Sequence, residues 1–185
     1  MGEQKNRMLS GELYRCHDPE LAAERMHCRQ TLEKFNASAA EEKPLRRSIL
    51  EELLGSIGEG SLILPTFRCE YGYLIHLGRD CCLNYDAIIM DGAKVVIGDN
   101  VQIGPRAQII TALHPVADHQ LRREGWETVA PVTIGDNVWF GAGVIVCPGV
   151  TIGADTVVGA GSVVTRDLPE KVFAAGNPAR VIKPL

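Results

Sequence analysis

The sequence predicts a mainly β protein built as a parallel β-solenoid, and three observations carry this prediction. Large aliphatic or aromatic residues recur every six positions through two long stretches. A small or β-branched residue follows four positions later, and turns such as Gly98-Asp99-Asn100 separate the hexads. This period fits neither the 3.6-residue period of a helix nor the alternation of one long strand. It fits short strands in triangular coils of about 18 residues that stack at about 4.8 Å.

The residues that keep this period are the predicted core. Those of the first stretch are Leu77, Leu83, Ile89, Ile97, Ile103 and Ile109. Those of the second stretch are Ile134, Phe140, Val146, Ile152, Val158 and Val164. The smaller residues four positions later include Val101, Ala107, Val138, Val144, Val150, Thr156 and Ser162.

Two breaks in the period indicate where the chain leaves the solenoid. From Ile89 to Ile97 is eight residues, and from Ile109 to Ile134 is 25 residues, one more than four hexads. Residues 112–130 are therefore predicted to form an extended loop. Its polar and aromatic residues include His114, His119, Arg122, Arg123, Glu124 and Trp126. Because catalytic residues are often carried on loops held by a rigid scaffold, His114 is the leading candidate.

The remaining segments lack hexads. Residues 1–57 are predicted to be helical, with Asp18 capping a helix that has Pro19 in its first turn. Residues 38–41 fit a capping box for a second helix, and residues 58–76 form a transition with one early strand. The predicted organisation is a helical segment at 1–57 on the acceptor side, a solenoid at 58–165 with its excursion at 112–130, and a tail at 166–185.

Composition narrows the functional classes. A net charge of −4 argues against a general nucleic-acid binder. No apolar run approaches the ~18 residues that span a bilayer, and the first residues lack the apolar region of a secretory signal. The six cysteines include no Cys-x-x-Cys pair, so we expect reduced thiols and a cytoplasmic protein without membrane or nucleic-acid partners.

Three motifs together resemble one known family. The hexads, the run Thr111–Pro115 and the tail motif at 176–180 (GNPAR) are similar to the hexapeptide-repeat acetyltransferases. The runs at 11–15 (GELYR) and 65–73 (PTFRCEYGY) are similar to its maltose O-acetyltransferase branch, with galactoside O-acetyltransferases as close relatives. The resemblance covers nearly the whole chain. It implies a left-handed parallel β-helix, a homotrimer, and acetyl-CoA bound in grooves between subunits.

The resemblance implies transfer of an acetyl group from acetyl-CoA to a sugar hydroxyl, such as one of maltose or glucose, in a ternary complex. His114 matches the general base of the family. An imidazole suits this task because it titrates near neutral pH and can remove the hydroxyl proton as the oxygen attacks the thioester. Glu124 and Glu127 are both candidates for orienting His114, and the sequence does not choose between them.

The resemblance also implies residues that bind the acceptor. Asn84 matches the asparagine beside the attacking hydroxyl, and its amide can both donate and accept hydrogen bonds. Asp91 and Glu70 match positions that line the acceptor pocket. Two acidic contacts of the galactoside branch fall on Gly92 and Cys16 here, which argues against a galactoside acceptor.

On the coenzyme side, the resemblance implies that the backbone N–H of Ala142 hydrogen-bonds the thioester carbonyl and stabilises its developing charge. The other positions that match the coenzyme groove are Ala160, Thr165, Arg166, Arg180 and Lys183. The three basic side chains among them could meet the phosphates of the coenzyme. No metal is required by this chemistry.

Three alternatives stay open. The acceptor could be a galactoside, an oligosaccharide or an antibiotic hydroxyl. The chain could be a scaffold that has lost activity, although His114, Asn84 and Arg180 are present. The spacing of His76, His114 and His119 is similar to that of the zinc histidines of γ-class carbonic anhydrases. In one chain, however, His76 and His114 would lie two coils apart, about 10 Å, too far to share one zinc ion.

Overall fold

A computed structural model describes residues 1–185, and its first part is helical. Helix α1 spans Glu3–Leu9, α2 spans Pro19–Ala37 and α3 spans Lys43–Leu53. The predicted cap of α2 is confirmed, because the Asp18 carboxylate accepts hydrogen bonds from two backbone N–H groups of the first turn. Pro19 occupies that turn, where its missing N–H removes no helical hydrogen bond.

The expected capping box at residues 38–41 is wrong. Ser38 ends α2 instead of starting the next helix, and its hydroxyl donates to the Phe35 carbonyl oxygen at 2.6 Å. Helix α3 starts at Lys43, and its N-cap residue Glu42 makes no side-chain cap. The Glu42 carboxylate instead accepts from the Ala39 N–H at 2.8 Å, so the polar side chains stabilise the turn between the two helices.

Outside these three helices the chain is almost entirely strands and turns. The strands are β1 (Tyr14–Arg15), β2 (Ser56–Ile57), β3 (Leu62–Ile63), β4 (Phe67–Cys69), β5 (Ile75–Leu77), β6 (Cys82–Leu83), β7 (Ala87–Met90), β8 (Val95–Ile97), β9 (Gln102–Ile103), β10 (Gln108–Ile110), β11 (Ala112–Leu113), β12 (Trp126–Val129), β13 (Val132–Ile134), β14 (Trp139–Phe140), β15 (Ile145–Val146), β16 (Thr151–Ile152), β17 (Val157–Val158), β18 (Val163–Val164), β19 (Val172–Gly176) and β20 (Ala179–Pro184). A short helix, α4, spans His119–Arg123.

Three parallel sheets form the faces of the solenoid. The first contains β2, β5, β8, β13 and β16, and the third contains β4, β7, β10, β15 and β18. The second contains β3, β6, β9, β14, β17 and β19, with β20 at its edge. Successive strands move from one sheet to the next, and each pairs with the strand one coil away, as Leu77 does with Ile97. The predicted fold class, a mainly β left-handed parallel β-helix, is confirmed.

The predicted core is confirmed. The twelve residues that keep the six-residue period are each at most 3 % exposed, and the seven small residues four positions later are each at most 2 % exposed. Turns between the strands place Asn100 and Asn137 at positive φ, a conformation that asparagine tolerates better than most residues. The sequence period therefore predicts both which side chains face inward and where the turns lie.

The solenoid begins earlier than the hexads indicated. Strand β2 already pairs with β5 in parallel, with Ile57 opposite Leu77. Strands β3 and β4 complete that coil, so residues 58–76 belong to the β-helix and are not a separate transition. Helix α3 covers this end of the solenoid, and the Arg47 guanidinium donates to the Ile57 and Gly58 carbonyl oxygens at 2.8 and 2.9 Å. The open strand edge is thus hydrogen-bonded within the chain.

The excursion at residues 112–130 is not an irregular loop. Strands β11 and β12 pair antiparallel, with α4 between them. Strand β12 also pairs with β1 of the N-terminal segment, placing Tyr14 opposite Glu127 and Arg15 opposite Trp126. The excursion and the N-terminal segment therefore form one small sheet of three strands.

None of the helices is long and apolar enough to cross a membrane.

Candidate active site

His114 directly follows β11, at the point where the excursion leaves the solenoid. Its side chain is 57 % exposed, so a substrate can reach the imidazole. It borders an open cavity of about 600 Å³ together with His119, Arg122 and Arg123 of the α4 segment. The sequence-predicted base thus lies at a cavity lined only by polar, basic side chains.

The carboxylate that faces His114 is that of Glu127. Its Oε1 atom lies 3.6 Å from His114 Nε2, and its side chain is only 12 % exposed. Glu124, the other candidate, is engaged elsewhere, since its carboxylate accepts from Trp126 Nε1 at 3.2 Å and from Gln120 Nε2 at 3.1 Å. The direction of β12 therefore places Glu127, and not Glu124, against His114, a choice that the sequence left open.

Glu127 is held from its other side by the N-terminal segment. The Tyr14 hydroxyl donates to Glu127 Oε2 at 2.9 Å, and Tyr14 is only 2 % exposed. Cys16 is also close, and burial together with the negative charge of Glu127 raises the pKa of its thiol to about 11. Glu127 thus has a tyrosine and a thiol on one side and the imidazole on the other.

Asp91 is fully buried, which changes its expected role. One carboxylate oxygen accepts from the N–H groups of Glu70 and Tyr71 at 2.9 Å, and the other accepts from Gly72 N–H at 2.6 Å. With 0 % exposure, Asp91 has no surface to offer an acceptor. The expected direct contact is therefore incompatible with its burial, and Asp91 instead fixes the turn that carries Glu70.

Glu70 remains a candidate for acceptor contact. It borders a cavity of about 720 Å³ between α2 and the third sheet. Burial raises the pKa of its carboxyl to about 7, and this effect outweighs the opposing positive charge of Arg25. Glu70 can therefore exist in either protonation state near neutral pH.

The surroundings of Gly92 disfavour the acidic acceptor contact of the galactoside branch, which falls on this position. A Cβ atom at this position would lie 2.8 Å from Val129 Cγ1, closer than real Cβ contacts allow. A side chain at position 92 would therefore require the Val129 side chain to shift. Cys16, where the other galactoside contact would fall, follows β1, and its N–H donates to the Gly125 carbonyl oxygen at 2.9 Å.

Asn84, Ala142 and Ala160 lie along one edge of the solenoid. They follow β6, β14 and β17 respectively, so all three are at the corner between the second and third sheets. The Asn84 Oδ1 atom accepts from Tyr85 N–H at 2.8 Å, which leaves the amide NH₂ free for another partner. Ala142 borders a cavity of about 530 Å³ with Tyr85.

The backbone at Ala142 is suited to bind an acyl oxygen. Its N–H has no acceptor within the chain, whereas the neighbouring Gly141 and Gly143 N–H groups are both hydrogen-bonded. Coils stack closely at this corner, since a Cβ on Gly141 would lie 2.6 Å from Ala160 N. Only glycine at 141 allows this approach, and it leaves a narrow backbone edge free of side chains.

The other predicted coenzyme residues divide into two groups. Strand β19 pairs with β17, and the Gly159 N–H donates to Ala174 O at 2.8 Å, which brings the tail beside Ala160. Arg180 and Lys183 lie on β20 and are exposed next to this region. Thr165 and Arg166 follow β18 and are also exposed, but at the opposite edge of the third sheet.

The predicted catalytic residues are therefore not all together within one chain. His114 and Glu70 lie at the corner between the third and first sheets, whereas Asn84 and Ala142 lie at the corner between the second and third. The width of a three-residue strand, about 10 Å, separates these edges. No group of three or more His, Cys, Asp or Glu side chains is arranged to hold a metal ion. His76, His114 and His119, considered above as an alternative zinc site, form no such group.

Sequence reasoning missed the contribution of the N-terminal segment. Tyr14 lies in the GELYR motif, but its partner Glu127 is far away in the chain, and no local pattern links the two. Arg25 was also missed. Its guanidinium donates to the Tyr71 hydroxyl at 2.7 Å and to the Cys16 carbonyl oxygen at 2.6 Å, so it joins α2 to the edge that carries Glu70.

Comparison with known families agrees with this architecture at both ends of the chain. Residues 7–58 match the maltose acetyltransferase hexapeptide capping motif. Residues 131–166 match the bacterial transferase hexapeptide, a family model of six repeats. The first match contains Tyr14, α2 and α3, and the second contains Ala142 and Ala160.

Individual proteins match over nearly the full chain. A maltose O-acetyltransferase from Clostridium difficile 630 is 48% identical with a TM-score of 0.96, covering 98% of this chain and 97% of its own. A galactoside acetyltransferase solved in complex with coenzyme A is 38% identical with a TM-score of 0.94, covering 100% of this chain and 92% of its own. The galactoside O-acetyltransferase of Escherichia coli K12 is 40% identical, covering 96% of this chain and 87% of its own.

Proposed function

Since this chain belongs to the hexapeptide-repeat acetyltransferases and is an acetyl-CoA-dependent O-acetyltransferase, we propose that it acetylates a hydroxyl of a sugar such as maltose or glucose, with His114 as the general base. The observation that carries the proposal is the placement of His114, exposed on the excursion and faced by the carboxylate of Glu127 at 3.6 Å. Acetyl-CoA is the co-substrate.

The chemical step follows from these groups. The imidazole of His114 takes the proton of the acceptor hydroxyl while that oxygen attacks the thioester carbonyl. The carbon–sulfur bond then breaks to give the sugar ester, and the imidazolium returns the proton to the sulfur, so the coenzyme leaves as a thiol. The imidazolium produced in this step carries a positive charge. The carboxylate of Glu127, 3.6 Å from His114 Nε2 and only 12 % exposed, supplies a negative charge beside it. The reaction needs no covalent acetyl-enzyme.

The free N–H of Ala142 suits the second requirement of the reaction. Negative charge develops on the thioester oxygen as the hydroxyl attacks, and a fixed backbone donor stabilises that charge. Small residues at this edge let the extended arm of the coenzyme lie against the backbone. Arg180 and Lys183 are exposed on the tail, and their positive charges suit contact with the coenzyme phosphates.

A homotrimer reconciles the two separated edges. If the edge with His114 on one subunit faces the edge with Asn84 and Ala142 on the next, base, acceptor contact and oxyanion donor meet at the subunit boundary. A cyclic arrangement with three identical contacts forms three such sites. Exposed apolar side chains on the solenoid, including Tyr85 and Trp139, each 56% exposed, offer surface for that contact.

A maltose- or glucose-like acceptor is favoured over a galactoside. The Clostridium protein that shares 48% identity is described as a maltose O-acetyltransferase. The two acidic contacts of the galactoside branch fall on Gly92, beside the Val129 side chain, and on Cys16, and neither residue carries a carboxylate. Glu70 and Glu127 are the remaining acids at this edge, and both can accept hydrogen bonds from sugar hydroxyls.

The test is an acceptor screen with acetyl-CoA in which released thiol is measured. Maltose, glucose, a thiogalactoside, a chitooligosaccharide and an antibiotic with free hydroxyls would be compared by kcat/KM. We expect the glucosyl acceptors to give the highest values. A preference for the galactoside, or turnover with the antibiotic alone, would reject the proposed acceptor. Equal turnover in wild type and His114→Ala would reject the proposed base.

A further inference from the structure

The N-terminal segment is hydrogen-bonded to the excursion that carries the base. Strand β1 pairs antiparallel with β12, with Tyr14 opposite Glu127. The Arg15 guanidinium also lies over the Trp126 ring, 4.9 Å from its centre. A segment that begins the chain is therefore part of the same small sheet as the residues at the reaction centre.

Tyr14 makes one contact in this sheet that reaches the base through a single residue. Its ring is buried, and its hydroxyl donates to Glu127 Oε2 at 2.9 Å. The other oxygen of the same carboxylate, Oε1, lies 3.6 Å from His114 Nε2. A carboxylate held at one oxygen has less freedom to rotate away from a partner at the other.

We propose that Tyr14 is a positioning residue of the acetyl transfer, fixing the Glu127 carboxylate against His114 so that it stabilises the imidazolium formed when His114 takes the acceptor proton. The inference rests on the proposed function of His114 as the base. It assigns part of the catalytic arrangement to the N-terminal segment, in addition to its role in covering the solenoid.

The chemistry of Tyr14 suits a permanent donor. Burial, and then the negative charge of Glu127, raise the pKa of the Tyr14 hydroxyl far above its ordinary value, so it keeps its proton. Cys16, beside the same carboxylate, is also neutral at physiological pH because burial raises its pKa. On this side Glu127 therefore meets donors without charge, and the imidazolium is the cation closest to its free oxygen.

Other charged groups also face this centre and would affect the measured activity. His119, Arg122 and Arg123 border the cavity of His114 from the α4 segment. Glu70 is close enough for the charge of Glu127 to raise its pKa. A comparison of variants that leaves these four residues in place isolates the contribution of Tyr14.

The chain offers a matched control. The Tyr73 hydroxyl donates to Glu24 Oε2 at 2.8 Å, another tyrosine–glutamate hydrogen bond that ties the N-terminal segment to the solenoid. Glu24 and Tyr73 border a different cavity from that of His114. Tyr73→Phe therefore removes the same kind of bond without touching Glu127.

The experiment compares Tyr14→Phe, Tyr73→Phe, Glu127→Gln and the double variant Tyr14→Phe with Glu127→Gln in the intact enzyme. We expect Tyr14→Phe to lower kcat about 2- to 10-fold, the range of one hydrogen bond, with both KM values unchanged. Tyr73→Phe should keep the wild-type kcat. Glu127→Gln should lower kcat further, since the imidazolium loses a neighbouring negative charge.

The double variant gives the decisive reading. If Tyr14 acts through Glu127, the double variant has the kcat of Glu127→Gln alone. Additive losses, an equal loss in Tyr73→Phe, or a raised sugar KM with unchanged kcat would each overturn the proposal. If Tyr14→Phe melts below the assay temperature, Glu127→Gln gives an independent test, because a wild-type kcat in that variant also overturns the proposal. An active His114→Ala enzyme would instead reject the proposed function itself.

Discussion

Asn84 and His114 lie on opposite edges of the third sheet, about 10 Å apart, so within a single chain the two side chains do not meet at one reacting hydroxyl. We predict that the active enzyme is a trimer and that each site combines His114 of one subunit with Asn84 of the next. Light scattering on an active preparation should give the mass of three chains. A monomeric mass would contradict the prediction.

Subunit mixing tests the shared site directly. His114→Ala and Asn84→Ala should each be nearly inactive alone. When the two are unfolded together and refolded, random assembly should leave about a quarter of the subunit boundaries with both native residues, because each boundary uses a different face of each partner. Activity near that fraction of wild type is expected. A mixture as inactive as its components would place both residues in a site within one subunit.

Loss of the imidazole should affect turnover more than folding. His114→Ala is expected to lower kcat by at least about 100-fold, the lower range for loss of a general base. The side chain is 57 % exposed and supports no core packing, so the circular dichroism spectrum should be unchanged. His119→Ala, which alters the same cavity, is the control and should retain most of the turnover. Near-normal turnover in a folded His114→Ala enzyme removes His114 from the mechanism.

The repeating parts of the fold were predictable from sequence, because the large apolar residue of each hexad identifies the side chain that is buried. Phe140 and Val146 are inward for the same reason, a large apolar residue at a fixed distance from a turn, and no long-range information is needed. Residues 58–76 were placed in the solenoid segment but predicted only as a transition with one strand, because β2 and β3 are short and the hexads of this coil are irregular. Its assignment depends on pairing with β5 and β6, which a linear pattern does not contain.

The site was predictable only where it lies on a motif. His114 was found from the break in the period and from the resemblance, whereas the choice of Glu127 over Glu124 depends on the direction of β12. That direction is fixed by pairing with β1, more than 100 residues earlier in the chain. The burial of Asp91 was also not foreseeable, since a carboxylate after a strand can equally face solvent or bind backbone N–H groups.

The stability of the chain should depend on the protonation of Glu70. Burial raises its pKa from 4.5 to about 7 in the folded state. Between these two values the folded state binds more protons than the unfolded state, so this contribution to stability is present below the lower value and is lost as the pH rises through the higher one. Complete ionisation should cost on the order of 1 to 3 kcal/mol.

Glu70→Gln cannot ionise and should lose less stability over that range. We expect its melting temperature, relative to wild type, to rise between about pH 5 and about pH 8 by several degrees, since 1 kcal/mol corresponds to about 2–4 °C in a chain of this size. Glu33→Gln, on the exposed side of the same cavity, controls for removal of one charge. The same relative melting temperature at both pH values would show that Glu70 has an ordinary pKa.

Substitutions in the tail test whether its basic residues bind the coenzyme. Arg180 and Lys183 are exposed on β20, beside the edge that carries Ala160. If they meet the phosphates, Arg180→Ala with Lys183→Ala should raise KM for acetyl-CoA by about 1.5- to 5-fold per charge, because exposed ion pairs contribute about 0.2–1 kcal/mol. KM for the sugar should not change. The salt dependence of coenzyme binding should also flatten, since salt screens the contacts that were removed.

A purely structural tail would behave differently. Strand β20 covers the edge of β19, so its loss of packing would lower the melting temperature and leave the coenzyme KM unchanged. Kinetics at two salt concentrations, combined with a melting curve, separate these outcomes. Lys34→Ala with Lys43→Ala, which removes two exposed charges from the helices, is the control and should leave the coenzyme KM at its wild-type value. An unchanged KM in the tail variant would reject the phosphate contacts of Arg180 and Lys183 and leave Thr165 and Arg166 as the residues to test next.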